Sequence, residues 1–206
     1  MNYNINPSAI EQESMAIIER NIPALLDLPA GEQAIIKRIV HTTGDFNIAP
    51  QVRIHPLAIE AGLAALKSSC TIITDVKMAL AGMNRKKMAE LNVTAICRID
   101  DPEVVARSKQ TGETRARAAM LFAAPLDGDI AVIGNAPTAL FTLCEMIEAG
   151  LASPALVVGT PVGFVGALES KEVLMAMNKV PYVTVTGTRG GSTIAAAVIN
   201  ALLYMI

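Results

Sequence analysis

The sequence has no tryptophan, and only 3% of its residues are aromatic, namely four phenylalanines and three tyrosines. Proteins that bind single-stranded nucleic acid stack bases on such rings, so this class is disfavoured. Lysine and arginine together number 17 against 19 acidic residues, which gives a net charge of −2 and no basic field. We therefore expect no nucleic-acid partner.

Cysteine and histidine are also scarce: the chain has Cys70, Cys97, Cys144, His41 and His55. There is no CxxC pair, and no group of potential ligands has metal-site spacing, so we expect no protein-bound metal. Unpaired cysteines suit a reducing compartment, and the polar, acidic N-terminus is unlike a signal peptide. The expected location is cytoplasmic.

Charged residues make up only 17% of the chain, whereas 52% are hydrophobic. This balance excludes a disordered chain and predicts one sizeable core in a single domain over residues 1–206. It also suggests that apolar surface is buried between subunits. The uncharged stretch from Ala149 to Leu168 is long enough to cross a bilayer, but its glycines and prolines suit strands and turns better, so we expect no membrane contact.

The order of sequence patterns predicts helices first and then an alternation of strands and helices. The first third predicts helices over Ser8–Arg20, Gln33–Val40 and Pro56–Lys67. Short apolar strands rich in β-branched residues follow. These are Cys70–Thr74, Val93–Cys97, Ile130–Ile133, Ala155–Gly159 and Tyr182–Thr186, with helices near 77–90, 113–124, 136–149, 169–178 and 192–205.

Continuous apolar strands separated by helices predict a doubly wound α/β fold, in which helices cover both faces of a parallel sheet. We expect a flavodoxin-like three-layer sandwich with a five-stranded parallel sheet in the order 2-1-3-4-5 and extra N-terminal helices. Ligands of such folds bind beyond the carboxyl ends of the strands. Glycine, asparagine and threonine dominate at these ends, as at Asn135 and in the loop 187–192, and glycine there permits close backbone approach.

Of the two histidines, His41 is the better candidate for acid–base chemistry. It follows the helix predicted over Gln33–Val40 and precedes Thr42, and a helix dipole favours an imidazolium there that can donate a proton. A histidine at this position also commonly binds the last-turn carbonyls, and on spacing alone that ordinary role is favoured. His55 precedes a proline at a predicted helix start and is expected to serve that start.

Three segments are candidates for holding an anion or a polar ligand. The loop Gly187-Thr-Arg-Gly-Gly-Ser192 precedes a predicted helix, so it is either an anion cradle that includes Arg189 or a tight strand–helix turn. It does not match the Walker A pattern, and no GxGxxG follows the first strand. Arg115 suits carboxylate binding or is a surface arginine, and Asp75 either binds a ligand or caps the next helix.

These residues resemble the precorrin-8X methylmutase family, including its cobalt-precorrin-8 branch, from about Ile10 to Leu203. The resemblance depends on the order and spacing of several segments. They are Glu13-Ser14, Arg38-Ile-Val-His41, Thr74-Asp75-Val76, Glu113-Thr114-Arg115, Ile133-Gly-Asn-Ala-Pro-Thr-Ala-Leu140, Pro161-Val-Gly-Phe-Val165, Glu169-Ser170-Lys171 and Gly190-Gly191-Ser192.

The resemblance implies an isomerase of cobalamin biosynthesis that moves a methyl group from C-11 to C-12 of precorrin-8 or cobalt-precorrin-8 and needs no cofactor. The products would be hydrogenobyrinate or cobyrinate. It also implies a homodimer, a His41 that protonates the tetrapyrrole near the migrating centre, and a site near the subunit interface. The expected substrate-binding residues are Ser14, Thr42, Asp75, Arg115, Asn135, Arg189, Gly190, Gly191 and Ser192.

Two other functions are compatible with the residues. A non-catalytic tetrapyrrole carrier would bind the same ring without changing it. A regulatory α/β domain would bind phosphate or a nucleotide at the Gly-rich loop. A metal-free ring and a cobalt-containing ring both fit, because the cobalt would belong to the ligand and not to the protein.

Overall fold

The computed structural model describes residues 5–206, in which the strands form one sheet and helices pack against it. Helices α1 (Pro7–Asn21) and α2 (Ala30–Thr43) come first, and 3₁₀ helices follow them over Pro23–Asp27 and Phe46–Gln51. The remaining elements in chain order are β1 (Val52–Ile54), α3 (Ala58–Lys67), β2 (Thr71–Thr74), α4 (Lys77–Ala81), α5 (Arg85–Glu90), β3 (Thr94–Cys97), α6 (Pro102–Thr111), α7 (Arg115–Leu121), β4 (Ile130–Ile133), α8 (Pro137–Glu148), β5 (Leu156–Gly159), α9 (Ala167–Met177), β6 (Tyr182–Val185) and α10 (Ser192–Tyr204).

The strands form one mixed, mostly parallel sheet in the order β1-β6-β5-β4-β2-β3. The strands β2 to β6 are parallel to one another, with Ile72 opposite Ile130 at the centre. The edge strand β1 pairs antiparallel with β6 and places Val52 opposite Val185. The predicted five-stranded sheet is therefore wrong, because the sheet has six strands. The three residues of β1 include the charged Arg53 and carry no apolar run that would have revealed them.

Neighbouring side chains of a strand point to opposite faces of the sheet. Because the strands are apolar on both faces, helices cover both of them. Ile72 and Val132 lie in the core that includes α2, α3 and α10, whereas Ile73 and Ala131 lie in the core that includes α8 and α9. Helices α2 and α10 pack against each other on the first face. This contact brings the end of α2 next to the first turns of α10, which follow the carboxyl end of β6.

The helices after β2 differ from the sequence prediction in two places. The stretch 77–90 contains two helices, because Asn84 begins α5 and its side chain accepts a hydrogen bond from the Lys87 N–H (3.1 Å). The second difference is α6, which no pattern predicted. Helix α6 buries Val104 and little else, so the sequence of α6 lacks a clear apolar stripe.

The uncharged stretch from Ala149 to Leu168 contains β5, whose four residues are all buried in the sheet. Within residues 5–206, no helix combines the length and the hydropathy that crossing a bilayer requires.

Candidate functional site

His41 lies in the last turn of α2 and is exposed. The neighbouring Ile39 and Val40 are buried in the core, so the helix turns His41 and Thr42 outwards. The negative end of the helix dipole favours a cation in this turn. The helix therefore presents an accessible imidazole at its carboxyl end.

The end of α2 lies three residues beyond the predicted end at Val40, so His41 is not the cap of the helix. Gly44 takes that role, with a φ of 63° and an N–H that donates to the Val40 carbonyl (2.9 Å). Thr43 adds a hydrogen bond from its hydroxyl to the Ile39 carbonyl (3.0 Å). Because the Ile39 and Val40 carbonyls have other donors, the His41 ring is not needed to bind them.

Three cavities have His41 in their walls. One of about 180 Å³ is also bounded by Ser14 of α1 and by Phe46. A second, of about 230 Å³, lies between α2 and α10 and includes Thr42. A third, of about 410 Å³, extends towards Tyr204 near the C-terminus. The packing of α1 on α2 thus brings Ser14 to His41, as the site prediction requires, while Thr42, the next residue of α2, shares the cavity beside α10.

Arg38 borders two of these cavities, and the sequence reasoning missed it as a site residue. Its guanidinium forms an ion pair with Glu11 (2.9 Å) and lies over the ring of Tyr204, 5.1 Å from the centroid. Arg38 precedes His41 by three residues, a spacing that places both on one helix face. That spacing was the available signal, and the structure adds that both side chains meet the same cavities.

Asp75 follows β2 and is almost fully buried, with 1% of its surface exposed. Its carboxylate accepts hydrogen bonds from the N–H groups of Gly134 (2.9 Å), Asn135 (2.9 Å) and Ala136 (2.6 Å) at the turn into α8. Burial raises the pKa of Asp75, and the three N–H donors oppose this shift. The carboxylate is therefore engaged by the protein, and it positions the exposed Asn135 at the end of β4.

The loops that follow β5 and β6 close against each other. The Gly191 N–H donates to the Thr160 carbonyl (2.8 Å), and Gly191 has a φ of 123° that favours glycine. A Cβ atom at Gly190 would lie 2.4 Å from the Thr160 oxygen and 2.5 Å from the Pro161 oxygen. Only glycine fits at this contact, which sets the direction of the chain into Ser192 and α10.

Arg189 connects this pair of loops to the end of α2. Its guanidinium binds the carboxylate of Asp45, two residues beyond α2. The Asn47 N–H and, to a lesser extent, the charge of Arg189 hold the pKa of Asp45 below its usual range. A cavity of about 230 Å³ lies at this contact, with Thr43 and Gly190 in its wall. The Gly-rich loop and the His41 turn are thus neighbouring parts of one surface.

Lys171 of α9 lies beneath these loops and is completely buried. Its ammonium donates to the carbonyl oxygens of Arg189 (2.7 Å) and Pro161 (3.2 Å). Burial lowers the pKa of Lys171 to about 8. No sequence pattern predicts this burial, because an isolated lysine in a helix is ordinarily exposed.

The free energy of unfolding is expected to increase as the pH rises from about 8 towards 10.5. In that window the unfolded chain keeps the Lys171 proton that the folded protein has lost, so deprotonation favours the fold. Urea unfolding of the wild type and of Lys171→Met at about pH 7 and about pH 10 would measure this. The increase should be smaller in the variant, and equal increases in both proteins would contradict the assignment.

Arg115 lies apart from His41 and borders none of the three His41 cavities. It begins α7 and binds Asp100 (2.7 Å), which also binds Lys77 at the start of α4 (2.8 Å). The hydrogen bond and charge of Lys77, followed by those of Arg115, lower the pKa of Asp100. Lys77 follows the carboxyl end of β2, Asp100 follows that of β3, and Arg115 begins α7 beside them. These three residues therefore belong to the predicted ligand-binding edge.

The chemistry available in this region is proton transfer by one imidazole beside several cations. The second histidine, His55, is occupied, because its Nδ1 accepts the Leu57 N–H (3.1 Å) at a helix start. Burial raises the pKa of Cys70 to about 11 and that of Cys144 to about 12, so both remain thiols near neutral pH. Between Ile5 and the C-terminus, no three histidine, cysteine or acidic side chains gather as a metal site.

Comparison with known proteins places this architecture in one family. The profile of the family described as Precorrin-8X methylmutase matches residues 9–205. The chain is 42% identical to precorrin-8X methylmutase of Pseudomonas aeruginosa over 204 residues, which cover 98% of this chain and 97% of that protein. It is 41% identical to cobalt-precorrin-8 methylmutase of Salmonella typhimurium, with coverage of 99% and 98%.

A solved structure gives the same result. The precorrin-8x methyl mutase of Thermus thermophilus superimposes with a TM-score of 0.89 at 38% identity, over 96% of this chain and 95% of that one. Sequence and structure agree over nearly the whole length of each relative. The chain belongs to the precorrin-8X methylmutase family, whose members are methyl-shifting isomerases of cobalamin biosynthesis.

Proposed function

We propose that this chain moves a methyl group from C-11 to C-12 of precorrin-8 or cobalt-precorrin-8, forming hydrogenobyrinate or cobyrinate. The observation that carries the proposal is the position of His41. Its imidazole borders three cavities and has no hydrogen-bond partner among residues 5–206, whereas His55 serves a helix start. Relatives are named after both substrates, so both rings are candidates.

The proposed role of His41 is to protonate the macrocycle next to the migrating centre. The methyl group moves with its bonding electron pair, so the carbon that receives it must be electron-poor. A proton from the imidazolium makes the ring electron-poor, and the proton is lost again when the product forms. Substrate and product are isomers, so the step needs no oxidant, reductant or second substrate.

The acidic side arms of the ring need cations or N–H donors around His41. Arg38 borders the same cavities, and Arg189 lies near the end of α2. Gly190, Gly191 and Ser192 lead into the 13-residue helix α10, whose N-terminal dipole favours a carboxylate, while the Gly191 N–H itself is bonded to Thr160 and fixes the loop. Ser14 and Thr42 add hydroxyl groups beside His41. Asp75 takes part indirectly in this proposal, because its carboxylate holds the turn that carries Asn135.

Arg115→Ala is expected to raise KM for the tetrapyrrole about 5- to 20-fold and to change kcat little, because a hydrogen bond to a charged group is lost. Steady-state conversion followed by absorbance measures both constants. Arg20→Ala removes an exposed arginine in the last turn of α1 and is the control. An unchanged KM in the Arg115 variant would mean that another residue binds the substrate carboxylate, and Arg38 would be the next candidate.

A homodimer is part of the proposal, and its support is an exposed apolar loop after β5. Phe164 is 94% exposed and Val165 is 89% exposed, which is unusual for neighbouring large apolar side chains in a monomer. We expect Phe164→Asp to convert dimers to monomers in sedimentation velocity. Leu151→Asp, at a separate exposed apolar residue, should leave dimers intact. A monomeric wild type would contradict the dimer, and a dimeric Phe164→Asp would contradict this contact.

The activity is tested by incubating the purified protein separately with precorrin-8 and with cobalt-precorrin-8 while recording absorbance spectra. Conversion of at least one ring is the expected result. Stoichiometric binding without conversion of either ring would overturn the enzyme assignment and favour a carrier. Stabilisation by nucleotides but not by corrinoids would favour the regulatory-domain alternative.

A further inference from the structure

Lys171 is a fully buried cation, with no opposite charge paired to it among residues 5–206. Within residues 5–206 its ammonium forms no ion pair, and both of its hydrogen bonds go to backbone carbonyl groups. An uncompensated buried cation is expensive in free energy. An apolar side chain would avoid that expense but would leave the Pro161 and Arg189 carbonyls without this donor.

The two carbonyl groups belong to different loops, one after β5 and one after β6. Both oxygens lie within 3.2 Å of a single nitrogen. Two carbonyl oxygens that converge in this way repel each other, and a positive charge between them reverses that repulsion. Two further hydrogen bonds join the loops, from Gly191 N–H to the Thr160 carbonyl (2.8 Å) and from Gly163 N–H to the Thr188 carbonyl (3.1 Å). The Lys171 ammonium thus occupies the position that a bound cation would take between the loops.

The loop that Lys171 holds carries two kinds of group near the proposed site, a guanidinium and backbone N–H donors. The Arg189 carbonyl binds the ammonium, while the Arg189 guanidinium reaches Asp45 beyond the end of α2. The next residues, Gly190 and Gly191, lead into the N-terminus of α10. A change in the Arg189 backbone would therefore move a cation and several N–H donors together.

We propose that Lys171 is a positioning residue that sets the affinity for the acidic arms of the substrate by fixing the Arg189–Gly191 loop, without touching the substrate. This inference rests on the proposed function, which supplies the tetrapyrrole as the ligand. The position of the loop itself does not depend on that function and can be measured separately.

The first test is hydrogen exchange in the protein without ligand. Lys171→Met should accelerate exchange of the Gly191 N–H at least about 10-fold, because its bond to Thr160 depends on the loop position, and should leave the Val132 N–H in β4 unchanged. Lys179→Met is the matched control, since Lys179 forms a surface ion pair with Glu148. Unchanged exchange at Gly191 would overturn the positioning role, whatever the protein binds.

The second test separates KM from kcat. We expect Lys171→Met to raise KM about 10-fold with kcat within about twofold, and Lys179→Met to change neither. In a double-mutant cycle, Arg189→Met should lose most of its effect on KM in the Lys171→Met background. A folded Lys171→Met protein with a lower Tm but unchanged KM would overturn the effect on affinity.

Two further outcomes remain informative. If Lys171→Met does not fold, Lys171→Gln, which keeps two N–H donors, is measured by the same exchange and kinetic criteria. If the wild type neither binds nor converts either tetrapyrrole, the proposed function fails, while the exchange result still decides whether Lys171 positions the loop.

Discussion

His41→Asn is expected to lower kcat about 10²- to 10⁴-fold, the usual contribution of a general acid, and to change the affinity for the ring little. Asparagine retains polarity and hydrogen-bonding groups but cannot deliver a proton. His41 is exposed on the last turn of α2, so its replacement disturbs no buried packing. Single-turnover conversion of precorrin-8 gives the rate, and titration with hydrogenobyrinate gives the affinity.

His55→Asn is the matched control, because it removes the other imidazole and keeps a side-chain oxygen that can accept the Leu57 N–H. Its rate should stay within about twofold of the wild type. A His41→Asn protein that converts substrate at a normal rate would contradict the acid–base role. A large loss of affinity with an unchanged rate would assign His41 to binding.

Asp75→Ala is expected to have the largest effect on stability, a loss of about 3–5 kcal/mol in the free energy of unfolding. Its carboxylate accepts three N–H groups at the turn between β4 and α8, and those donors would lose their partners in a buried place. Urea unfolding with a freely fitted m-value measures the loss.

The control for Asp75 is Asp27→Ala, which removes an exposed carboxylate at the end of the first 3₁₀ helix. That variant should stay within about 0.5 kcal/mol of the wild type. Asp75→Asn keeps an accepting oxygen and should fall between the two. A loss below about 1 kcal/mol in Asp75→Ala would mean that water replaces the carboxylate.

The sequence predicts the central parallel strands well, because β4 and β5 are short apolar runs whose side chains are buried on both faces of the sheet. Ile130–Ile133 has the predicted bounds, and Leu156–Gly159 differs by one residue. The edge strand Val52–Ile54 could not be predicted, since its pairing with β6 depends on contacts between distant parts of the chain. The helix Pro102–Thr111 was missed because it buries little and therefore lacks an apolar periodicity.

The candidate site was predictable in its residue types more than in its arrangement. A histidine near the end of a helix is visible in the sequence, but its approach to Ser14 depends on the packing of α1 on α2. The burial of Lys171 under two loops depends on tertiary contacts in the same way. The three N–H contacts of Asp75 come from the turn before α8, which is distant in sequence, so no local pattern predicts them.

NMR of histidine-labelled protein shows whether the His41 ring contacts the bound macrocycle. The chain has two histidines, so a His55→Asn sample assigns both sets of ring signals. On titration with metal-free hydrogenobyrinate, we expect His41 ring protons to shift and to show nuclear Overhauser contacts with the corrin, while His55 stays unchanged. Saturated binding that leaves the His41 signals unmoved would contradict a contact between His41 and the macrocycle.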